Sequence, residues 1–273
     1  MNQGLVRILT ALVGIPLIVY TVYVGDWVFF AFIALISLVA QMEFVYMLRR
    51  MGWQVSLTWS WLLSLSWLCK YFVEWWQTPL LIVVMLFAAS TIYTGVRRSI
   101  ERFAGTLASM VYPVIMMSFM IDIHWQASQA NGLDAAFLIV LMLLCLIWAT
   151  DTGAYYAGRT LGKHKLAPSI SPNKTWEGTI GGVVLAIATA TLFKTQWIPE
   201  LSWVDVVVFA FLAGVWGQIG DLLESAFKRA AGVKDSAAIL PGHGGILDRF
   251  DSIIFTAPVY YLYLSELTSL LAR

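Results

Sequence analysis

Apolar stretches close to 20 residues long follow one another along the whole chain, broken by short polar segments. A helix needs about 20 mainly apolar residues to cross the hydrocarbon core of a bilayer. The runs fall at roughly 6–24, 27–47, 54–70, 79–96, 104–121, 135–153, 178–194, 205–224 and 252–270. The pattern predicts an all-α, polytopic integral membrane protein with about nine transmembrane helices. Residues 1–134 read as a mostly plain hydrophobic scaffold and residues 135–273 as the part that carries the chemistry, the two forming one integrated membrane domain.

Composition agrees with lipid as the solvent. The chain is 60% hydrophobic and only 12% charged, where a soluble domain carries roughly 25% charged residues. A surface so poor in charge would not stay dissolved in water. Thirteen Trp and eleven Tyr suit the headgroup region, which their amphipathic rings favour. A net charge of +1 gives no sign of a nucleic-acid partner. Cys69 and Cys145 lie inside apolar runs and read as buried small side chains.

Positive charge orients the spans. Arg49 and Arg50, then Arg97, Arg98 and Arg102, then Arg159, Lys163, Lys165 and Lys174, then Lys228, Arg229, Lys234 and Arg249 all fall on one side. The opposite loops hold Asp26, Glu74, Asp122, Asp134, Glu200 and Asp205, with Lys70 and Lys194 as their bases. The N-terminus is therefore expected in the cytoplasm. The expected location is a bacterial-type inner membrane, with the charged face towards the cytoplasm.

Residues 151–177 and 221–251 hold nearly half of all the charge. At the end of the eighth run, Asp221, Glu224, Ser225 and Lys228 stand at i, i+3, i+4 and i+7 and share one helix face, which Gly214 and Gly217 extend as a smooth stripe. Carboxylates at membrane depth are costly and point to a functional site. Next come Gly242, His243, Gly244 and Gly245, then Asp248, Arg249 and Asp251 on the first turn of the ninth helix. The glycines let backbone approach a ligand and present N–H groups to phosphate. Asp248 and Asp251 serve either the helix dipole or a hard cation such as Mg²⁺. In the third island, Asp151 ends an apolar run, and Ser171-Pro172 reads as a fixed turn before Asn173, Lys174 and Glu177. No Walker loop occurs. Gly178 and Gly182 form a G-x-x-x-G that marks close helix packing.

The stretch from Ser225 through Lys228, Arg229, Lys234, Asp235, Pro241, His243, Gly244 and Gly245 to Asp248, Arg249 and Asp251 resembles the defining motif of the phosphatidate cytidylyltransferases, or CDP-diacylglycerol synthases. Ser171 to Gly178 resembles that family's second shared block, while residues 1–140 match only in hydrophobic character and span number. The resemblance implies an all-helical, homodimeric membrane enzyme that makes CDP-diacylglycerol and pyrophosphate from CTP and phosphatidate. It implies Asp221 and Asp248 as the carboxylates that hold Mg²⁺, leaves open a second cation such as K⁺, and has Asp251, Lys228 and Ser225 complete the site.

Physical roles follow. The second pKa of a phosphomonoester is about 6, so phosphatidate is largely dianionic and needs no general base. Bringing two polyanions together is the harder problem. Lys228 and Arg229 are expected to hold the lipid phosphate, and Arg159, Lys163, Lys165 and Lys174 the triphosphate. Further substrate contacts are expected from Asp151, Ser171, Asn173, Glu177, Lys234, Asp235, His243, Gly244, Gly245 and Arg249. The competing reading is an ion-coupled transporter with intramembrane carboxylates. Against it, the charges cluster at the cytoplasmic ends of the spans and no internal repeat is visible.

Overall fold

The computed structural model describes residues 3–93, 95–240, 242 and 244–266, without the side chains of residues 3–8 and 97. Residues 267–270 of the last predicted run lie outside this set; over its described residues, each predicted run falls mainly on helices. In chain order these are α1 (Gln3–Val24), α2 (Asp26–Arg50), α3 (Leu57–Leu68), α4 (Gln77–Ile92), α5 (Val96–Met110), α6 (Met116–Asn131), α7 (Leu133–Leu161), α8 (Trp176–Gln196), α9 (Trp203–Phe211), α10 (Gly217–Ala230) and α11 (Leu247–Glu266). The α5–α6 and α9–α10 pairs each run on through a single π-helical turn, at Val111–Ile115 and Leu212–Trp216. The first contains Pro113, which has no N–H to give to a regular helical bond.

Among the described residues, five helices are long and apolar enough to cross a membrane: Asp26–Arg50, Arg98–Asn131, Leu133–Leu161, Trp176–Gln196 and Trp203–Ala230. The all-helical, membrane-spanning character holds, but the expected count of nine spans is not confirmed. The run at 54–70 yields only the 12 residues of α3, about 18 Å at 1.5 Å per residue, against a core about 30 Å thick. Its helix starts late because Ser56 caps it, accepting from the Trp59 N–H, and ends in a tight turn at Cys69–Tyr71. A small separate core of Leu63, Phe87 and Met110 joins α3, α4 and α5.

The main core runs unbroken from Val22 to Leu264, so scaffold and chemistry-bearing helices share one interior. Polar side chains bind the scaffold together. Gln41 donates to Ser64 Oγ at 2.8 Å, and Ser109 Oγ to Ser60 Oγ at 2.8 Å.

Small residues bring α7 and α8 close. A Cβ on Gly178 would lie 2.9 Å from the Ala154 carbonyl oxygen, and one on Gly182 would lie 2.8 Å from that of Thr150. The G-x-x-x-G is therefore a packing surface. On α10, Gly217 faces Ser252 and Thr256, and a Cβ on Gly220 would lie 2.7 Å from the Asp251 carbonyl oxygen. Gly217 and Gly220 thus seat α11 against α10, with Asp221 next along the chain, while Gly214, expected on the same stripe as Gly217, packs instead against Val183 of α8.

One small sheet departs from the all-helical plan. β1 (Lys165–Ala167) pairs antiparallel with β2 (Ser171–Thr175). Ser171-Pro172 is not the turn that was expected, because residues 168–170 make it. Pro172 is tolerated in β2 because each strand of a two-stranded sheet is an edge.

Candidate active site

A cavity of about 600 Å³ opens between α7, β2, α8 and α10. Asp151 and Arg159 of α7, Lys165 of β1, Asn173 and Lys174 of β2, Thr179 and Gln218 line it, with Asp221 of α10. Lys174 Nζ lies 2.7 Å from Asp221 Oδ2, both partly exposed. Ser225 Oγ donates to Asp221 Oδ1 at 3.3 Å, one helical turn on. Thr179 donates to Gln218 Oε1 at 2.7 Å, tying α8 to α10.

A second, drier network lies behind Asp221. Lys228 is held between the carboxylates of Glu224 and Asp248, with Nζ 2.7 Å from Asp248 Oδ1. Glu224 is fully buried and the Asp248 side chain is 4% exposed. Asp248 Oδ2 accepts from the Ser236 N–H, the Ser236 hydroxyl and the Gly245 N–H, at 2.9, 2.9 and 2.8 Å. Burial of an ionised carboxylate demands such donors. The shared face predicted for Asp221, Glu224, Ser225 and Lys228 is therefore present. Asp251 accepts from the Ser252 N–H at 2.6 Å and lies within electrostatic reach of Asp221, Asp151 and Lys228.

Several expectations change. Where the glycine loop runs into α11, its N–H groups are not open to phosphate. Gly245 gives its N–H to Asp248, and Ile246 and Leu247 give theirs to Glu43. Gly244 adopts a positive φ of 81°, and a Cβ there would meet Asp248 Oδ2 at 2.6 Å. Lys228, expected at the lipid phosphate, is engaged by the carboxylates of Glu224 and Asp248. Glu177 accepts from the Lys163 and His164 N–H groups and pairs with His164 Nδ1 at 2.6 Å, which fastens the hairpin to the start of α8.

The remaining candidates lie around the hairpin and loops. Arg229 is exposed and its Nε donates to the Ile170 carbonyl at 3.4 Å, so α10 touches the hairpin turn. Ser171 pairs with Ala167 at the start of β2. Lys234, Asp235 and Arg249 are exposed on the surface. His243 lies outside the described residues.

Glu43 was missed by sequence reasoning. It stands on α2, inside a run read as plain scaffold, and is 2% exposed. A carboxylate within an apolar span is itself a functional signal. Glu224 stands on the shared face that the helical spacing predicts.

A family model described as "Cytidylyltransferase family" matches residues 5–267. The chain belongs to the cytidylyltransferase family. It is similar to the phosphatidate cytidylyltransferase of Staphylococcus epidermidis, 35% identical over 266 residues, which is 96% of this chain and 99% of that protein. It is 48% identical to the protein of that name from Bacillus subtilis over 138 residues, 50% of this chain and 51% of the relative. With that of Haemophilus influenzae it shares 35% over 197 residues, 70% of this chain and 66% of the relative. The chain thus spans about half the length of the Bacillus relative and nearly all of the Staphylococcus epidermidis one. Family membership does not favour the transporter reading, and it makes the cavity at Asp221 the candidate active site of a cytidylyltransferase.

Proposed function

We propose that the protein transfers CMP from CTP to phosphatidate, giving CDP-diacylglycerol and pyrophosphate. The observation that carries the proposal is the cavity at Asp221. It sets Lys174, Lys165 and Arg159 beside carboxylates at one end of otherwise apolar helices, within a family of cytidylyltransferases. A phosphate oxygen of phosphatidate attacks the α-phosphorus of CTP. The bond from that phosphorus to the oxygen bridging to the β-phosphate breaks, and pyrophosphate leaves. Because the attacking group is already largely dianionic, no side chain has to take a proton.

The three cavity cations would bind and orient the triphosphate, and Asn173 offers a neutral amide. The acyl chains stay in the bilayer while the headgroup enters from the membrane surface. This explains why the site is built on spanning helices.

The site's oxygen donors suit Mg²⁺, a hard cation that takes one or two carboxylates and completes its shell with phosphate oxygens and water. Asp221 and Asp248 would hold it. Each carboxylate is paired with a lysine ammonium, at 2.7 Å, and Asp248 sits behind the cavity wall, so the ion would take the place that Lys174 and Lys228 hold on these oxygens. Among the described residues, no three His, Cys, Asp or Glu side chains form a metal-holding group on their own, so substrate oxygens would have to complete the shell. When bound, the ion would neutralise charge developing on the phosphates.

Membrane orientation follows the same logic. Arg49 and Arg102 converge on one cavity, although they come from separate basic groups in the sequence. Arg159, Lys165 and Lys174 converge on another. That supports an N-terminus and an active site facing the cytoplasm, in the inner membrane of a bacterium. A homodimer is the proposed assembly, on family resemblance. The test is direct: purified protein is incubated with CTP, phosphatidate and Mg²⁺ and the lipid product analysed, with CDP-diacylglycerol expected. No lipid nucleotide, together with solute uptake into vesicles, would favour the transporter.

A further inference from the structure

Glu43 lies far along the chain from every motif residue, yet it closes the network behind the cavity. Its Oε1 accepts the Ile246 N–H at 2.9 Å, and its Oε2 accepts the Leu247 N–H at 2.8 Å and the Ser236 hydroxyl at 2.9 Å. Those N–H groups belong to the start of α11, where a helix leaves its first N–H groups without internal partners. Caps usually come from the residue just before a helix. Here the cap comes from another helix, and the residue that follows it is Asp248.

Ser236 joins the two acids. Its Oγ lies 2.9 Å from Glu43 Oε2 and 2.9 Å from Asp248 Oδ2. A serine hydroxyl has one proton and donates to one acceptor at a time. The placement of that proton therefore couples the two carboxylates. Gly245 makes the meeting possible, because a Cβ there would run into both Ser236 Oγ and the Glu43 carboxylate.

We infer that Glu43 is a positioning residue for CMP transfer, an inference that rests on the reaction proposed above. Through Ser236 and the start of α11 it fixes the Asp248 carboxylate, which in turn holds Lys228. The scaffold half of the chain thereby sets the geometry of the reacting half. A carboxylate used only to stabilise the fold would change melting temperature. One that positions Asp248 also changes turnover and the Mg²⁺ requirement.

The test compares wild type, Glu43→Gln, Ser236→Ala and the double variant in CDP-diacylglycerol formation, over ranges of CTP and Mg²⁺, with melting temperature recorded. Ser236→Ala keeps both backbone bonds of Glu43 and removes the hydroxyl that joins it to Asp248, so it tests that bridge even if Glu43→Gln folds poorly. Its kcat is expected to fall about 10-fold or more, as when outer partners of a metal-holding group are removed. Its KM for CTP should change by less than about twofold, and half-saturation should need more Mg²⁺. The double variant should be no slower than Glu43→Gln, because both changes act on one carboxylate. Wild-type kcat and Mg²⁺ dependence in Ser236→Ala, or a change confined to melting temperature, would overturn the inference alone. No product from wild type would overturn the proposed reaction and this inference with it.

Discussion

Lys174 reaches from the hairpin to Asp221 on α10, 2.7 Å between Nζ and Oδ2, at the wall of the cavity. The pair links the two islands that the sequence keeps about 45 residues apart. It also places a cation at the cavity proposed above for the triphosphate. Lys174→Met removes that charge with little loss of volume. It should raise the KM for CTP about 10-fold or more, an amount typical for losing one charge-assisted contact, and leave the fold intact. Steady-state kinetics over a CTP series check this, and an unchanged KM would remove Lys174 from the triphosphate site.

Asp248→Asn keeps the shape of the side chain and removes its charge. In one orientation the amide N–H₂ faces Lys228, and in the other it faces the Ser236 and Gly245 donors. CDP-diacylglycerol formation should fall by about 100-fold or more, towards the upper end for a disturbed metal-holding group. The purified variant should still elute as folded protein. Near-normal turnover would remove Asp248 from the proposed metal site.

Lys228→Met leaves Glu224 and Asp248 buried without their shared cation. Breaking a buried ion pair by removing one partner costs about 3–5 kcal/mol. Melting temperature in detergent should drop clearly, and adding Glu224→Gln should recover part of the loss because one buried charge is gone. Equal melting of wild type and Lys228→Met would show that the network does not hold α10 to α11.

Activity should vanish in chelator and return on adding Mg²⁺. Phosphate oxygens and one or two carboxylates make a site that a strong chelator empties. Full turnover in chelator would contradict the assignment of Asp221 and Asp248 as metal-holding residues.

Much of this was legible in the sequence, and the exceptions have physical causes. Long apolar runs place helices well, so α2, α7 and α8 fall where hydropathy puts them. Asp221, Glu224, Ser225 and Lys228 share a face because helical spacing alone decides that. Helix length in the third run was not legible, because the Ser56 cap and the turn at Cys69 shorten an apolar stretch from both ends. The use of the glycine loop was also hidden. The N–H groups of Gly245, Ile246 and Leu247 could serve a phosphate or a carboxylate as far as the sequence shows, and only the fold brings Asp248 and Glu43 to them. Pairing across 204 positions, as between Glu43 and Leu247, leaves no local pattern to read.

The measurement that bears most directly on the central claim is product analysis after incubating the purified protein with CTP, phosphatidate and Mg²⁺. The site at Asp221 and Lys174 predicts CDP-diacylglycerol and pyrophosphate in equal amounts. Intact CTP and phosphatidate, with a folded protein and Mg²⁺ present, would contradict it.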